Sequence, residues 1–233
     1  MKNVGLNNVN ISNTGENTGG VTGVLVGGVV ENCFVTGTVQ GGHRTGGIVG
    51  RIAGNAILRN SYTNCIVTGN GYTGGITGAV FDTAAITRCY SMGTVTQTST
   101  SLAGLIPDSG GITGYMNNSP TVNNCVALIT LMRSYYNGNN RVGRILGYRN
   151  ASTGTHVNNY ARSDMEVYHS MVVLIGSIVS DKDQKEGESI NSTEWESQLW
   201  WSGTVGFDFS NVWEWDNAAS LPRLRGFAAG QHN

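Results

Sequence analysis

Glycine and aliphatic residues recur along this chain at a long, nearly regular interval, the mark of a repeat architecture. A Gly-aliphatic-x-Gly element occurs at Gly20-Val21-Thr22-Gly23, Gly47-Ile48-Val49-Gly50, Gly75-Ile76-Thr77-Gly78 and Gly111-Ile112-Thr113-Gly114. Two degenerate copies follow, Arg144-Ile145-Leu146-Gly147 and Val173-Leu174-Ile175-Gly176, so the last glycine returns after 27, 28, 36, 33 and 29 residues. Other positions keep step. An aliphatic column runs Val30, Leu58, Ile86, Val122, Val157; three residues on come Cys33, Ser61, Cys89, Cys125, Tyr160; six further on, Val39, Val67, Val95, Leu131. A polar column runs Asn3, Asn32, Asn60, Arg88, Asn124, Asn159.

The segments between glycines are short, rich in Val, Ile and Thr, and punctuated by Thr-Gly and Asn-Gly steps, which predicts strands and tight turns. Helical repeats are disfavoured at ~1 kcal/mol per interior glycine. The prediction is an all-β fold: a right-handed parallel β-helix of about six coils, each of about three short strands, with a small C-terminal cap containing a short helix. Coils stacked at ~4.8 Å give a column ~29 Å tall, and right-handed winding follows from the chirality of parallel crossovers. Aliphatic columns would fill the interior, and the Asn column would form ladders of side-chain amides. Repeats are assigned to residues 1–180 and the cap to 181–233.

Composition agrees with stacked β structure. There are 34 Gly but 3 Pro, and 12% of residues are charged, about half the usual share. The 39% apolar content and net charge of -1 exclude disorder by composition. Residues 1–150 are near +5 and residues 151–233 near -6, too diffuse to call for nucleic acid. No stretch approaches the ~20 apolar residues of a membrane span. Cys33, Cys65, Cys89 and Cys125 lack C-x-x-C spacing, so they are read as free core thiols, with no metal and no cofactor.

Asn32-Cys33-Phe34-Val35-Thr36-Gly37-Thr38-Val39, followed by Gly46-Gly47-Ile48-Val49-Gly50, resembles the GLUG repeat, and Arg88-Cys89-Tyr90-Ser91-Met92-Gly93-Thr94-Val95 resembles it again. That motif occurs in immunoglobulin A1 protease-like proteins and other large surface proteins of gut Bacteroides-type bacteria. Gly206-Phe207-Asp208-Phe209-Ser210-Asn211-Val212-Trp213 and Leu221-Pro222-Arg223-Leu224 are similar to the segment that closes such arrays. The resemblance implies an extracellular or cell-surface module. It departs from the pattern where copies five and six lose the first glycine, and no His-Glu-x-x-His zinc motif surrounds His43, His156, His169 or His232.

All five tryptophans fall after a charged run, Asp181-Lys182-Asp183-Gln184-Lys185-Glu186-Gly187-Glu188. The run reads as solvated, because Asp181-x-Asp183 lacks the EF-hand glycine and glutamate spacing. Thr193-Glu194-Trp195-Glu196 reads as a capping box opening a helix with Trp195 and Leu199 on one face. The tryptophans would cover the last coil, whose open edge is an aggregation hazard, or serve as platforms for sugar rings. At the other end, Lys2-Asn3-Val4 already occupies the Asn32-Cys33 register, so the chain is expected to be cut from a longer one and to show a bare first coil.

Three functions fit. The first is a non-catalytic adhesion, binding or spacer module contacting a host glycoprotein, a polysaccharide or adjacent domains. The second is the non-catalytic region of an immunoglobulin A1 protease-like peptidase. The third, a polysaccharide lyase or hydrolase, rests on fold analogy, since Glu16, Glu31, Asp82 and Asp108 share no column. No catalytic residue is assigned. A ligand face is sought where insertions gather. Val39 to Gly47 and Val67 to Gly75 span eight residues, but Val95 to Gly111 spans sixteen and Leu131 to Arg144 thirteen. Both excursions should leave one corner and form a lip bearing Asp108, Arg133, Tyr135, Tyr136, Asn137, Asn139, Asn140 and Arg141, or be two tolerated loops without a ligand.

Overall fold

The computed structural model describes residues 1–100, 106–136, 141–150, 153–170, 172–173, 180–228 and 230–232. It is mostly β, with parallel sheets and a small helix. Through the regular part of the chain the strands visit four sheets in fixed order, then return to the first one period later. Each passage is here called a row. The long sheet takes Gly5–Ser12, Phe34–Gln40, Tyr62–Gly69, Tyr90–Gln97, Val126–Ser134, Tyr160–Arg162 and Glu188–Ile190. The second takes Asn17–Gly19, Arg44–Gly46, Tyr72–Gly74, Ser109–Gly110 and Val142–Gly143; the third begins at Thr22–Val26 and the fourth at Val29–Glu31. A row therefore holds up to four strands, not three, because the glycine element itself splits one side into two strands around a bend.

Side chains explain this repetition. Val30, Leu58, Ile86 and Val122 are paired in register and at most 1% exposed. Ile48, Ile76, Ile112 and Ile145 are fully buried beside them, each such burial contributing about 1.5–3 kcal/mol. The glycines are required by close approach. A Cβ on Gly74 would lie 2.1 Å from the Thr77 carbonyl oxygen, and one on Gly111 2.1 Å from that of Arg144, in the next row.

The polar column is a backbone device. Asn3, Asn32, Asn60, Arg88, Asn124 and Asn158 all have φ between 49° and 58°, the left-handed region in which asparagine is the best tolerated residue with a Cβ. Among the described residues one amide–amide bond joins members of the column, Asn32 Nδ2 donating to Asn3 Oδ1 at 3.1 Å. The expected ladder is thus replaced by a conformational reason. In the last row the column is held by Asn158, not Asn159. Thr121 bridges Thr155, which places His156 (8% exposed) where Val157 was expected and leaves Val157 40% exposed. Asn159 then takes the cysteine column, its Oδ1 accepting from Cys125 N. An irregularity after Gly93 likewise puts Met132, not Leu131, opposite Val95.

The two ends differ. Every first-row strand is terminal in its sheet, and Leu6, Val9, Ile11, Val21 and Leu25 are only partly buried. At the far end the charged run is the cover: Lys185 O accepts from Ile145 N and Leu146 N, both at 3.0 Å, and Lys182 O from Asn159 N at 2.8 Å. Arg144, 1% exposed, fills the space of the lost glycine, its guanidinium donating to Gly187 O at 3.0 Å and Arg162 O at 3.3 Å. A run read as solvated is therefore bound through its backbone and also through side chains, Lys185 Nζ donating to Val142 O at 2.8 Å and Asp183 Oδ1 accepting from Asn158 N at 2.8 Å.

The tryptophan-rich segment lies along the long sheet instead of over the last coil. The residue after each cysteine-column position, Phe34, Tyr62, Tyr90, Val126 and Tyr160, points away from the interior, and together they form one apolar stripe, aromatic but for Val126. Tyr62 and Tyr90 stack at 4.8 Å and 3°. Trp201 and Trp213, both fully buried, sit on Tyr90, and Trp200 meets Tyr160 edge-on at 5.1 Å. The apolar stripe and the tryptophans bury each other, so these rings are packed payload. The first helix is Ser192–Trp195, capped by Asn191 with Glu194 completing the box, and a second, Gln198–Trp200, is capped by Ser197. The first starts two residues earlier than expected, and Leu199 lies 79% exposed.

Candidate ligand-binding face

Both excursions leave the corner between the long and second sheets in adjacent rows, and their returning ends lie side by side, Ser109 N donating to Arg141 O at 2.9 Å. Asn137, Asn139 and Asn140 lie outside the described residues. Of the other expected residues, Asp108 and Arg141 come together. Asp108 is fully buried; its Oδ1 is 3.4 Å from Arg141 Nη1, and its Oδ2 has no hydrogen-bond partner among the described residues. Burial pushes the carboxyl up to about 7, against the opposing pull of Arg141. A single long contact does not offset desolvation. Arg133 is not on the lip: it lies within the strand Val126–Ser134, 5.1 Å over the Tyr168 ring. Tyr135 (36% exposed) and half-buried Tyr136 stand at the start of the second excursion.

Arg141 leads to residues that were not anticipated. Its guanidinium lies 3.6 Å over the Tyr148 ring, a close cation–π contact. Tyr148 is nearly parallel to Tyr115 at 6.3 Å, and Tyr115 stacks on Tyr72 at 4.4 Å. Tyr148 and Tyr115 are paired in the third sheet, and Tyr72 comes from the second; the glycine bend folds the two sheets so that their outward side chains meet. Phe81 continues the cluster, with Arg51 5.1 Å and Arg44 5.9 Å from its ring. Tyr72 and Tyr115 are buried, whereas Phe81, Tyr148 and Arg141 are half-buried. A sequence signal existed: the residue after the closing glycine of the repeat element is Ala79, Tyr115, then Tyr148.

Apart from Asp108, two carboxylates of the first 150 residues, Glu31 and Asp82, are engaged elsewhere. Glu31 lies between Lys2 (2.6 Å) and Arg59 (2.5 Å), hydrogen bonding from Lys2 foremost in holding its carboxyl down. Asp82 accepts from Gly54 N and Asn118 Nδ2, both at 2.9 Å. Among the described residues no three His, Cys, Asp or Glu side chains gather as a metal site, and no helix is long and apolar enough to cross a membrane. The four cysteines are buried free thiols.

No protein-family model matches this chain, and no curated protein does. Its fold is similar to the solved structure of a "putative immunoglobulin A1 protease" from Bacteroides ovatus, with TM-score 0.77 and 24% identity over 96% of this chain and 68% of that one. Such a likeness defines the class of fold.

Proposed function

We propose that this chain is a right-handed parallel β-helix of the GLUG-repeat kind, acting as a non-catalytic binding module of a secreted or cell-surface protein, with repeats over 1–180 and a C-terminal capping region over 181–233. Its ligand is a host glycoprotein or polysaccharide held at the corner of Arg141 and Tyr148, flanked by Tyr135 and Tyr136. The carrying observation is the guanidinium 3.6 Å over a half-buried tyrosine where both excursions return, a pairing of planar donors and ring face suited to sugars. The separate engagement of Glu31, Asp82 and Asp108 favours binding over glycoside cleavage, which needs two convergent carboxyl groups. A glycan array with wild type, Tyr148→Ala and the double variant Tyr135→Ala/Tyr136→Ala tests the reading. Loss of a specific signal with unchanged unfolding midpoint supports it; unaltered binding by all variants refutes it.

The fold likeness to the Bacteroides ovatus protein favours a second reading, the non-catalytic part of an immunoglobulin A1 protease-like peptidase. Incubating the chain with immunoglobulin A1 separates the two: retention without cleavage supports the second.

A further inference from the structure

The left-handed column carries a second pattern. In three successive rows its side chains donate to three successive main-chain carbonyls of the tryptophan-rich segment: Arg88 Nε to Gly206 O at 3.0 Å, Asn124 Nδ2 to Val205 O at 2.8 Å and Asn158 Nδ2 to Thr204 O at 3.2 Å. Those carbonyls end the π-helical turn Trp201–Val205 and its cap, where helical partners run out. This column therefore reads peptide backbone.

At its other end the reading face is unfilled. Asn3 and Asn32 line an open cleft of about 350 Å³, bounded opposite by Val212, Arg225 and Phe227, a volume within the range of ligand sites. Asn32 Oδ1 is buried without a donor among the described residues, and its Nδ2 is turned to Asn3. Phe227 is held edge-on against Phe34 at 5.1 Å and 82°. Arg225 Nη2 donates to Phe209 O at 2.7 Å, and Nη1 is 3.9 Å from Glu214, a carboxylate that pairs more closely with Arg223 at 3.0 Å.

We propose that this cleft binds an extended peptide segment, toward which the Asn32 amide turns so that its Oδ1 accepts from a peptide N–H, while a peptide carbonyl accepts from Asn3 and an apolar side chain lies between Val212 and Phe227. A peptide offers alternating donors and acceptors along one edge, as the partner at rows four to six does with its carbonyls. The proposal is independent of the glycan corner.

The test is titration of the 15N-labelled full chain with the blocked tripeptide acetyl-Gly-Leu-Gly-amide, and separately with cellobiose. The tripeptide should shift the Asn3 and Asn32 side-chain amides saturably. Asn32→Gly keeps the left-handed backbone and should weaken binding about tenfold, the scale of one peptide–amide pair. Asn158→Gly, in an occupied row, should leave the affinity unchanged. No saturable shift up to the peptide's solubility, equal affinity in Asn32→Gly, or saturation by cellobiose alone would overturn the proposal.

Discussion

Substitutions in the left-handed column should reverse an ordinary ranking. Asn124, at φ 58°, both adopts the strained backbone and donates to Val205 O. Asn124→Ala removes a hydrogen bond contributing about 0.5–1.5 kcal/mol and replaces asparagine by a residue that tolerates the left-handed region about 0.5–1 kcal/mol less well, a loss of roughly 1–2.5 kcal/mol. Asn124→Gly loses the same bond without the Cβ strain, and its extra unfolded-chain freedom costs about 0.4–1 kcal/mol. Glycine should thus outrank alanine by some tenths to ~1 kcal/mol, whereas inside ordinary strands or helices alanine wins. Arg88 occupies the same conformation at φ 51°, and Arg88→Asn should gain about 0.5–1 kcal/mol while keeping a donor for Gly206 O. Urea unfolding followed by far-ultraviolet circular dichroism reads the sheets. Tryptophan fluorescence reads the docked segment, because all five tryptophans lie in it. Alanine at 124 as stable as glycine, or a destabilised Arg88→Asn, refutes the conformational account of the column.

Gly111→Ala should abolish folding, because its Cβ would meet the Arg144 carbonyl at 2.1 Å, while Gly203→Ala, with nothing within 4 Å, should be neutral; circular dichroism of the two proteins decides. Asp108 titrates at about 7 in the fold and near ~3.9 when unfolded, so between those values the folded state holds the extra proton and its stability falls as pH rises, levelling above the window. Asp108→Asn should gain on wild type steadily across that window in urea midpoints, and a constant difference would contradict the burial argument. Burial pushes the Cys65 and Cys125 thiols up to about 12 and raises those of Cys33 and Cys89 as well, so Ellman's reagent should label four thiols in urea and none promptly in the native protein; rapid native labelling would show the core to be open.

Much of this architecture was legible because identical rows repeat the same collision and the same burial. Glycine at 74 or 111 has no substitute, and aliphatic columns such as Leu58 and Ile86 declare themselves by spacing. Legibility failed where a single residue shifts register. His156 replaces Val157 at the interior because Thr155, one position earlier than the spacing implied, bridges Thr121, and every column after it moves by one. The place of the tryptophan-rich segment was written in Phe34, Tyr62, Tyr90 and Tyr160, which follow the cysteine column by one residue and face outward, but an outward aromatic shows no period of its own without the partner that covers it. At the candidate face, Asp108 and Arg141 were found because insertions mark the corner. Tyr115 and Tyr148 were not, because they lie on regular strands and meet Tyr72 only through the fold of the glycine bend.

Stacks of repeats ordinarily gain or lose copies freely, since each unit touches only its neighbours. Here the segment that spans the aromatic stripe, from Phe227 against Phe34 to Trp200 against Tyr160, acts as a length gauge. Deleting one turn of the stack would move its docking points by ~4.8 Å and put three side chains out of step with the three carbonyls they meet at Thr204, Val205 and Gly206. Copy number in this protein is therefore tied to the length of its last forty-odd residues, and the two can change only together.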